Sequence, residues 1–183
     1  MREDRLSRPL VGRVWKFGDD VSTDLLAPGA YAVAPLEERK RHVLEAVRPE
    51  FPREVRPGDV VVAGRNFGCG SSRETAPEGL QALGVACVVA ESFARIFFRN
   101  AVALGLPVLP CPGVWALFED GDLAEVVVAQ ARVRNPRTGR ELQGQPLPEV
   151  MVEILQAGGI LERLRAWSAA RRDGNAARGG DGG

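Results

Sequence analysis

Residues 64–75, with the sequence GRNFGCGSSRET, concentrate glycine, serine and arginine directly after the apolar run at 60–63. Between a buried strand and the start of a helix, such a segment offers backbone N–H groups and the positive end of a helix dipole to an anion. Gly70 lets a ligand approach the backbone closely, and Arg73 adds a planar guanidinium suited to a carboxylate or a phosphate. The segment matches neither G-x-x-x-x-G-K-[ST] nor G-x-G-x-x-G, which favours a carboxylate ligand.

The adjacent serines in this segment have two interpretations. A serine could act as a general base if backbone amides, the helix end and Arg73 stabilised its alkoxide. The simpler interpretation is that Ser71 and Ser72 are turn or capping residues. Thr75 competes for that structural task, because Thr75 and Glu78 have the spacing of a capping box. If Thr75 caps the helix, neither serine is needed as a cap.

The chain has three cysteines, Cys69, Cys87 and Cys111, and one histidine, His42. Cys69 as a nucleophile and a Ser-His-Asp hydrolase are both disfavoured, because His42 falls in a charged predicted helix far away in sequence. The cysteines are separated by 18 and 24 residues and form no C-x-x-C pair. A metal or iron–sulfur site made by this chain alone is therefore not expected.

Hydrophobic patterning places the glycine-rich segment in an α/β protein. Apolar runs predict strands at 10–17, 60–63, 85–90 and 106–109. Helical patterns occur at 36–47, 76–84 and 92–104, and a polar loop at 18–31. The apolar stripe of the third helix consists of Phe93, Ile96, Phe97, Ala101 and Leu104. This alternation predicts a mainly parallel sheet with helices packed on it.

The pattern of predicted elements changes at Leu123. Residues 123–144 predict two or three short strands with a turn at Thr138 and Gly139, and residues 146–167 predict two helical pieces broken at Gly158 and Gly159. The predicted organisation is an N-terminal arm at 1–9, one domain at 10–167 that ends in a short β/α extension, and a disordered tail at 168–183.

Composition excludes several classes of partner. The 24 basic and 24 acidic residues balance, so no overall field attracts nucleic acid or an anionic membrane. The first residues lack the apolar run of a signal peptide, and no apolar stretch of 18 residues occurs. We therefore expect a cytoplasmic protein with neither a nucleic-acid nor a membrane partner.

Three sequence blocks resemble one known family. GRNFGCGSSRE, the strand VACVVAES and the following FARIFFRNAVALGLPV are similar to the small subunits of isopropylmalate isomerase (3-isopropylmalate dehydratase) and homoaconitase, in the aconitase superfamily. The upstream segment DDVSTDLLAPGAY resembles the D-x-x-x-T-D-x-x-x-P segment of that family. The resemblance spans roughly residues 10–165 and implies the swivelling β/β/α domain of the aconitases.

The resemblance also implies a shared active site. A separate large subunit would carry a [4Fe-4S] cluster, and the site would form between the two chains. By analogy, Ser71 would remove and return a proton, and Arg73 would bind a substrate carboxylate with Ser72 beside it. Asp24 would line the site and help to polarise the departing or returning hydroxyl group, and the neighbouring Thr23 and Gly70 would contact the substrate.

The implied substrate is a small hydroxy-dicarboxylic acid. In leucine biosynthesis, dehydration and rehydration convert 2-isopropylmalate to 3-isopropylmalate. Substrate choice in the family depends on the segment at 28–34, where Val33 suits an isopropyl group. Homoaconitate is an alternative, because Arg39 and Arg41 could reach its extra carboxylate, and a dimethylmalate is another. A non-catalytic anion-binding module that kept the fold is a further alternative.

Overall fold

This computed structural model describes residues 5–176, with side chains described through Arg171. The strands are β1 (Leu10–Lys16), β2 (Val60–Ala63), β3 (Cys87–Ala90), β4 (Val108–Pro110), β5 (Leu123–Val127), β6 (Arg132–Arg134) and β7 (Glu141–Gln143). They form one seven-stranded sheet in the order β4-β3-β2-β1-β5-β6-β7. Neighbours among β1–β4 are parallel, and β5–β7 extend the sheet from β1 in antiparallel order. The predicted α/β fold is confirmed.

Strands β2 and β3 are buried at every position, because their sequences, VVVA and CVVA, consist of apolar side chains. Strands buried on both faces need packed layers on both sides of the sheet. The register pairs Val14 with Val60 and Val60 with Cys87. Since β1, β2 and β3 run in the same direction, the loops that follow them leave from one edge of the sheet.

Helices connect and cover the strands. They are α1 (Thr23–Leu26), α2 (Leu36–Arg39), α3 (Phe51–Glu54), α4 (Thr75–Ala82), α5 (Arg95–Leu104), α6 (Val114–Leu117), α7 (Glu149–Ala157) and α8 (Ile160–Ala176). Helix α5 packs against α4, α7 and α8, and α6 packs against β2 and β3. In the described part of the chain, no helix combines the length and the apolar character needed to cross a membrane.

Helix α5 begins at Arg95, three residues later than the sequence pattern predicts. Residues 92–94 instead run beside the glycine-rich segment, where Phe67 donates its N–H to Ser92 and Ala94 donates to Phe67. These backbone bonds between distant segments override the local helical preference. The predicted apolar stripe is also partly wrong, because Ile96 is half exposed while Phe97 is buried.

The single helix predicted at 36–47 is wrong. Helix α2 is followed by a 3₁₀ turn (Lys40–His42), and Leu44 then adopts a left-handed conformation with φ of 58°. Leu44 is fully buried, and its N–H donates to the carbonyl of Leu25 at 2.8 Å. Burial of this leucine and its backbone bond outweigh continuation of the helix.

The described residues nearest the two ends include a buried leucine in the predicted arm and helical residues in the predicted tail. Leu6, in the predicted arm, is fully buried in the core. Helix α8 continues past Ser168, so the predicted tail begins as helix, and residues 177–183 lie outside the described part. The predicted break before α8 is present, because Gly158 and Gly159 have φ of 91° and 125°.

Candidate active site

Two loops meet at the carboxyl edge of the parallel strands, one after β1 and the other after β2. Their backbones are joined by hydrogen bonds along their length: Gly64 to Gly18, Asp20 to Arg65, Gly68 to Val21 and Thr23 to Cys69, with N···O distances of 2.7–3.1 Å. This pairing carries the Thr-Asp pair at 23–24 next to the Ser-Ser-x-Arg region at 71–73. Residues almost fifty positions apart in sequence therefore share one surface.

Asp19 and Asp20 are used to join these loops. The carboxylate of Asp19 accepts the Arg65 N–H at 2.6 Å, and the carboxylate of Asp20 accepts the side-chain amide of Asn66 at 2.9 Å. Gly64 makes room for this contact, because a Cβ there would lie 2.0 Å from Asp19 Oδ1. The two aspartates thus act in the loop structure, in agreement with ordinary turn chemistry.

A cluster of three phenylalanine rings packs against the glycine-rich loop. Phe67 is fully buried, with its ring 6.0 Å from that of Phe93 and 5.2 Å from that of Phe97. Gly68 has φ of 81°, and a Cβ there would lie 2.2 Å from the Phe97 ring. The loop therefore rests directly on α5. Sequence reasoning assigned Phe93 and Phe97 to a helix stripe and missed this supporting role.

Ser71 and Ser72 are exposed, and neither hydroxyl hydrogen-bonds to any residue in the described part of the chain. The N-cap of α4 is Glu74, with no side-chain capping bond. Thr75 lies inside the helix, so the predicted capping box is wrong, and the serines are not the cap either. Their hydroxyls face outward, free to meet a ligand.

Thr23 and Gly70 hold the serine region against α1. Thr23 is 3% exposed, and its hydroxyl donates to the carbonyl of Ser71 at 2.9 Å. Gly70 has φ of 101°, and a Cβ there would lie 3.3 Å from Thr23 Oγ1. Thr23 therefore fixes the Ser71 backbone from the inside. Its buried hydroxyl positions the loop.

Arg73 and Asp24 form an ion pair at this surface. Arg73 Nη1 lies 2.5 Å from Asp24 Oδ1 and 2.6 Å from the carbonyl oxygen of Ala27. Asp24 sits in the first turn of α1, whose N-cap Ser22 accepts the Leu25 N–H at 3.3 Å. The Asp24 side chain is 69% exposed and that of Arg73 is 29% exposed. The guanidinium is therefore partly open to solvent and to an anionic ligand.

Val33 lies on a neighbouring exposed segment. Its side chain is fully exposed, so the segment presents it outward with no packing of its own. A small hollow between this segment and α4 is lined by Ala27, Pro28, Tyr31, Ala32, Arg39 and Thr75 among others. The predicted specificity segment therefore borders the helix that follows Arg73.

Two of the three cysteines, Cys87 and Cys111, are buried and lie apart. Cys87 begins β3 and Cys111 follows the end of β4, so these two residues lie at opposite ends of a strand pair. Burial raises the pKa of the Cys87 thiol, and burial together with the charge of Glu91 raises that of Cys111 to about 11. Thiols with raised pKa values are weak nucleophiles near neutral pH. The described residues also hold no cluster of three or more metal-binding side chains.

Comparison with known proteins defines the class to which this fold and surface belong. Residues 35–111 match the family described as Aconitase C-terminal domain. A crystal structure of 3-isopropylmalate dehydratase from Methanocaldococcus jannaschii superposes with a TM-score of 0.85 at 36% identity, covering 90% of this chain and 98% of the other. The fold is thus of the aconitase type.

Relatives in sequence identify the family within this fold class. The 3-isopropylmalate dehydratase small subunit 1 of Methanopyrus kandleri is 56% identical over 155 residues, which cover 84% of this chain and 91% of the relative. The methanogen homoaconitase small subunit of Methanothermobacter thermautotrophicus is 48% identical over 151 residues, covering 82% and 87% of the two chains. The chain belongs to the family of 3-isopropylmalate dehydratase small subunits, to which the resemblance in its sequence points.

Proposed function

We propose that this chain is the small subunit of a cytoplasmic hydro-lyase that isomerises 2-isopropylmalate to 3-isopropylmalate in leucine biosynthesis. The observation that carries the proposal is the meeting of two loops that brings Ser71, Arg73 and Asp24 to one exposed surface at the sheet edge. Identity of 56% to a 3-isopropylmalate dehydratase small subunit supports the same assignment.

The proposed chemistry begins with substrate binding. Arg73 holds a substrate carboxylate, with Ser72 beside it, and the guanidinium exchanges part of its bond to Asp24 for this ligand. The Ser71 alkoxide then takes the proton from the carbon next to the hydroxyl-bearing carbon. The C–H electrons form the C=C bond, and the C–O bond breaks with its electron pair on the departing hydroxyl. Asp24 helps to polarise this hydroxyl, which takes up a proton from solvent and leaves as water. Addition of water in the opposite sense, with the proton returned by Ser71, gives the isomer.

This surface is half of a site. Ser71, Ser72 and Asp24 are exposed and face solvent, whereas catalysis of this kind needs an enclosed, low-dielectric environment. We infer that a large subunit covers the surface and carries a [4Fe-4S] cluster, which would supply Lewis-acid chemistry. The isolated small subunit should therefore be inactive.

An anaerobic reconstitution with the cognate large subunit tests the proposal. The complex should isomerise 2-isopropylmalate, and neither subunit alone should do so. Ser71→Ala should lower kcat by about 10²–10⁴-fold, as expected for loss of a general base. Ser168→Ala, on α8, is a matched control that should retain full activity. A fully active Ser71→Ala complex would contradict the base assignment, and an inactive wild-type complex would contradict the proposed reaction.

Homoaconitate is the main alternative substrate, because a relative with 48% identity is a homoaconitase small subunit. An extra carboxylate would need a free cation near Val33. Arg39 is 18% exposed and already bonded to Glu78, and Arg41 is paired with Glu38. Because both arginines are already paired, neither is free to bind an extra carboxylate, which favours 2-isopropylmalate over homoaconitate as the substrate. The ratio of kcat/KM for the two substrates, measured on the complex, decides between them.

A further inference from the structure

The exposed segment at 28–34 is fastened at three points. At its start, Arg73 donates to the carbonyl of Ala27 at 2.6 Å. At its end, Arg39 Nε donates to the carbonyl of Ala34 at 3.0 Å. In the middle, the ring of Tyr31 stacks on that of His42. An otherwise exposed segment that carries no buried side chain is thus held by side chains from outside it.

Arg39 links the end of the segment to the helix that follows the serine loop. Besides its bond to Ala34, its Nη1 lies 2.7 Å from Glu78 Oε2. Glu78 belongs to α4, which begins two residues after Arg73. One guanidinium therefore joins the segment to the helix that follows the proposed carboxylate-binding residue. Because the guanidinium is planar, its bonds to Ala34 and Glu78 fix both the distance and the angle between the segment and α4.

The middle of the segment rests on the single histidine. The rings of Tyr31 and His42 are parallel within 5°, with centroids 3.5 Å apart. His42 is itself held by Glu45 at 2.7 Å and Glu38 at 3.1 Å. The support beneath Tyr31 is therefore fixed on both ring nitrogens.

We propose that Arg39 is a positioning residue that determines substrate discrimination by setting where Val33 lies relative to Arg73. It acts through the Ala34 carbonyl and Glu78, and it does not touch the substrate. This inference rests on the proposed function. It differs from the sequence-based alternative in which Arg39 binds an extra substrate carboxylate, because Arg39 Nε and Nη1 are both engaged within the fold.

The test uses the reconstituted complex and two substrates, 2-isopropylmalate and the smaller 2-methylmalate. Arg39→Gln should raise KM for 2-isopropylmalate about tenfold with kcat changed less than about threefold, since binding geometry is disturbed and the proton-transfer groups remain. The preference for 2-isopropylmalate over 2-methylmalate should fall at least about fivefold, because contact with the extra methyl groups is lost. Arg41→Gln is the matched control, since Arg41 is 70% exposed and pairs only at 3.4 Å.

A double-mutant cycle separates positioning from general destabilisation. Glu78→Gln should reproduce the loss of preference, and the double variant Arg39→Gln/Glu78→Gln should be no worse than either single variant. If Arg39→Gln folds poorly, Arg39→Lys, which keeps the charge but loses the planar fork, supplies the same test. An unchanged substrate preference in these variants, or a fall in kcat equal for both substrates, would overturn the proposal. A wild-type complex inactive on both substrates would instead overturn the proposed function on which it rests.

Discussion

Arg73 and Asp24, 49 positions apart in sequence, form an ion pair with an Nη1–Oδ1 distance of 2.5 Å at the exposed edge of the parallel sheet. The same nitrogen also donates to Ala27, so the guanidinium joins α1 to the serine loop. The pair has two consequences. It presets the orientation of the guanidinium, and it places a carboxylate where, under the proposed function, a substrate carboxylate would compete with it.

Asp24→Asn should separate these consequences in the reconstituted complex. Removing the negative charge relieves competition at Arg73, so KM should not rise, while kcat should fall at least about tenfold because a group that polarises the hydroxyl is lost. Stability should change by no more than about 1 kcal/mol, as for exposed ion pairs. Steady-state kinetics and urea unfolding measure both quantities.

The control for this variant is Glu125→Gln, which breaks a 2.9 Å ion pair with Arg134 in the antiparallel part of the sheet. It should leave kcat and KM unchanged. If Asp24→Asn instead raised KM and left kcat intact, Asp24 would contribute to substrate binding alone, and its assigned role in polarising the hydroxyl would be wrong.

The sequence pattern predicts those parts of the site that depend on residues close together in the chain. Four consecutive apolar residues at 60–63 indicate the buried strand, and the glycines after it indicate an unusual loop. The pairing of Asp24 with Arg73 needs one further step, which is that β1 and β2 are adjacent and parallel. Their carboxyl ends then lie together. Sequence periodicity alone does not contain that adjacency.

The errors arise where distant contacts override local preference. Leu44 ends the predicted helix because its side chain and N–H are both used in the core. Thr75 has the spacing of a cap, yet Glu74 occupies that position. The support of the serine loop by Phe67 and Phe97 depends on how α5 packs on the loop, which no short-range spacing encodes. Phe67, an aromatic residue inside the glycine-rich segment, was the available signal.

Gly68→Ala should damage both the fold and the site. The backbone at Gly68 has φ of 81°, and a Cβ would lie 2.2 Å from the Phe97 ring. The left-handed conformation costs about 1–2 kcal/mol for alanine, and displacement of a buried ring adds about 1–3 kcal/mol of overpacking strain. We expect a total loss of about 2–5 kcal/mol in the free energy of unfolding, measured by urea denaturation.

Gly139→Ala is the matched control, because Gly139 has φ of 70° with open space around the position of a Cβ. It should show the conformational cost alone. Gly68→Ala/Phe97→Leu should recover part of the additional loss by giving the new methyl group room. Equal destabilisation by the two glycine substitutions would show that contact with Phe97 does not constrain the loop.

His42 makes the support of the segment at 28–34 dependent on pH. Partial burial opposes the charged form of the ring, but hydrogen bonds and charges from Glu38 and Glu45 outweigh it, so the pKa of His42 is raised. The protonated ring donates to both carboxylates at once. Deprotonation leaves one ring nitrogen without a proton to donate, which weakens the support under Tyr31.

The sign of the resulting effect on stability follows from the direction of the shift. A raised folded-state pKa means that protonated His42 stabilises the fold fully below the ordinary histidine pKa of about 6.5, and that this contribution disappears as pH rises through the folded-state pKa. The difference in free energy of unfolding between the wild type and His42→Gln should therefore be largest near pH 6 and shrink towards pH 9.

Glu45→Gln, which removes one carboxylate but keeps the histidine, should shift this decline to lower pH, and NMR titration of the single histidine checks the shift directly. A difference between wild type and His42→Gln that stays constant from pH 6 to pH 9 would show that the ring supports Tyr31 by stacking alone, whatever its charge.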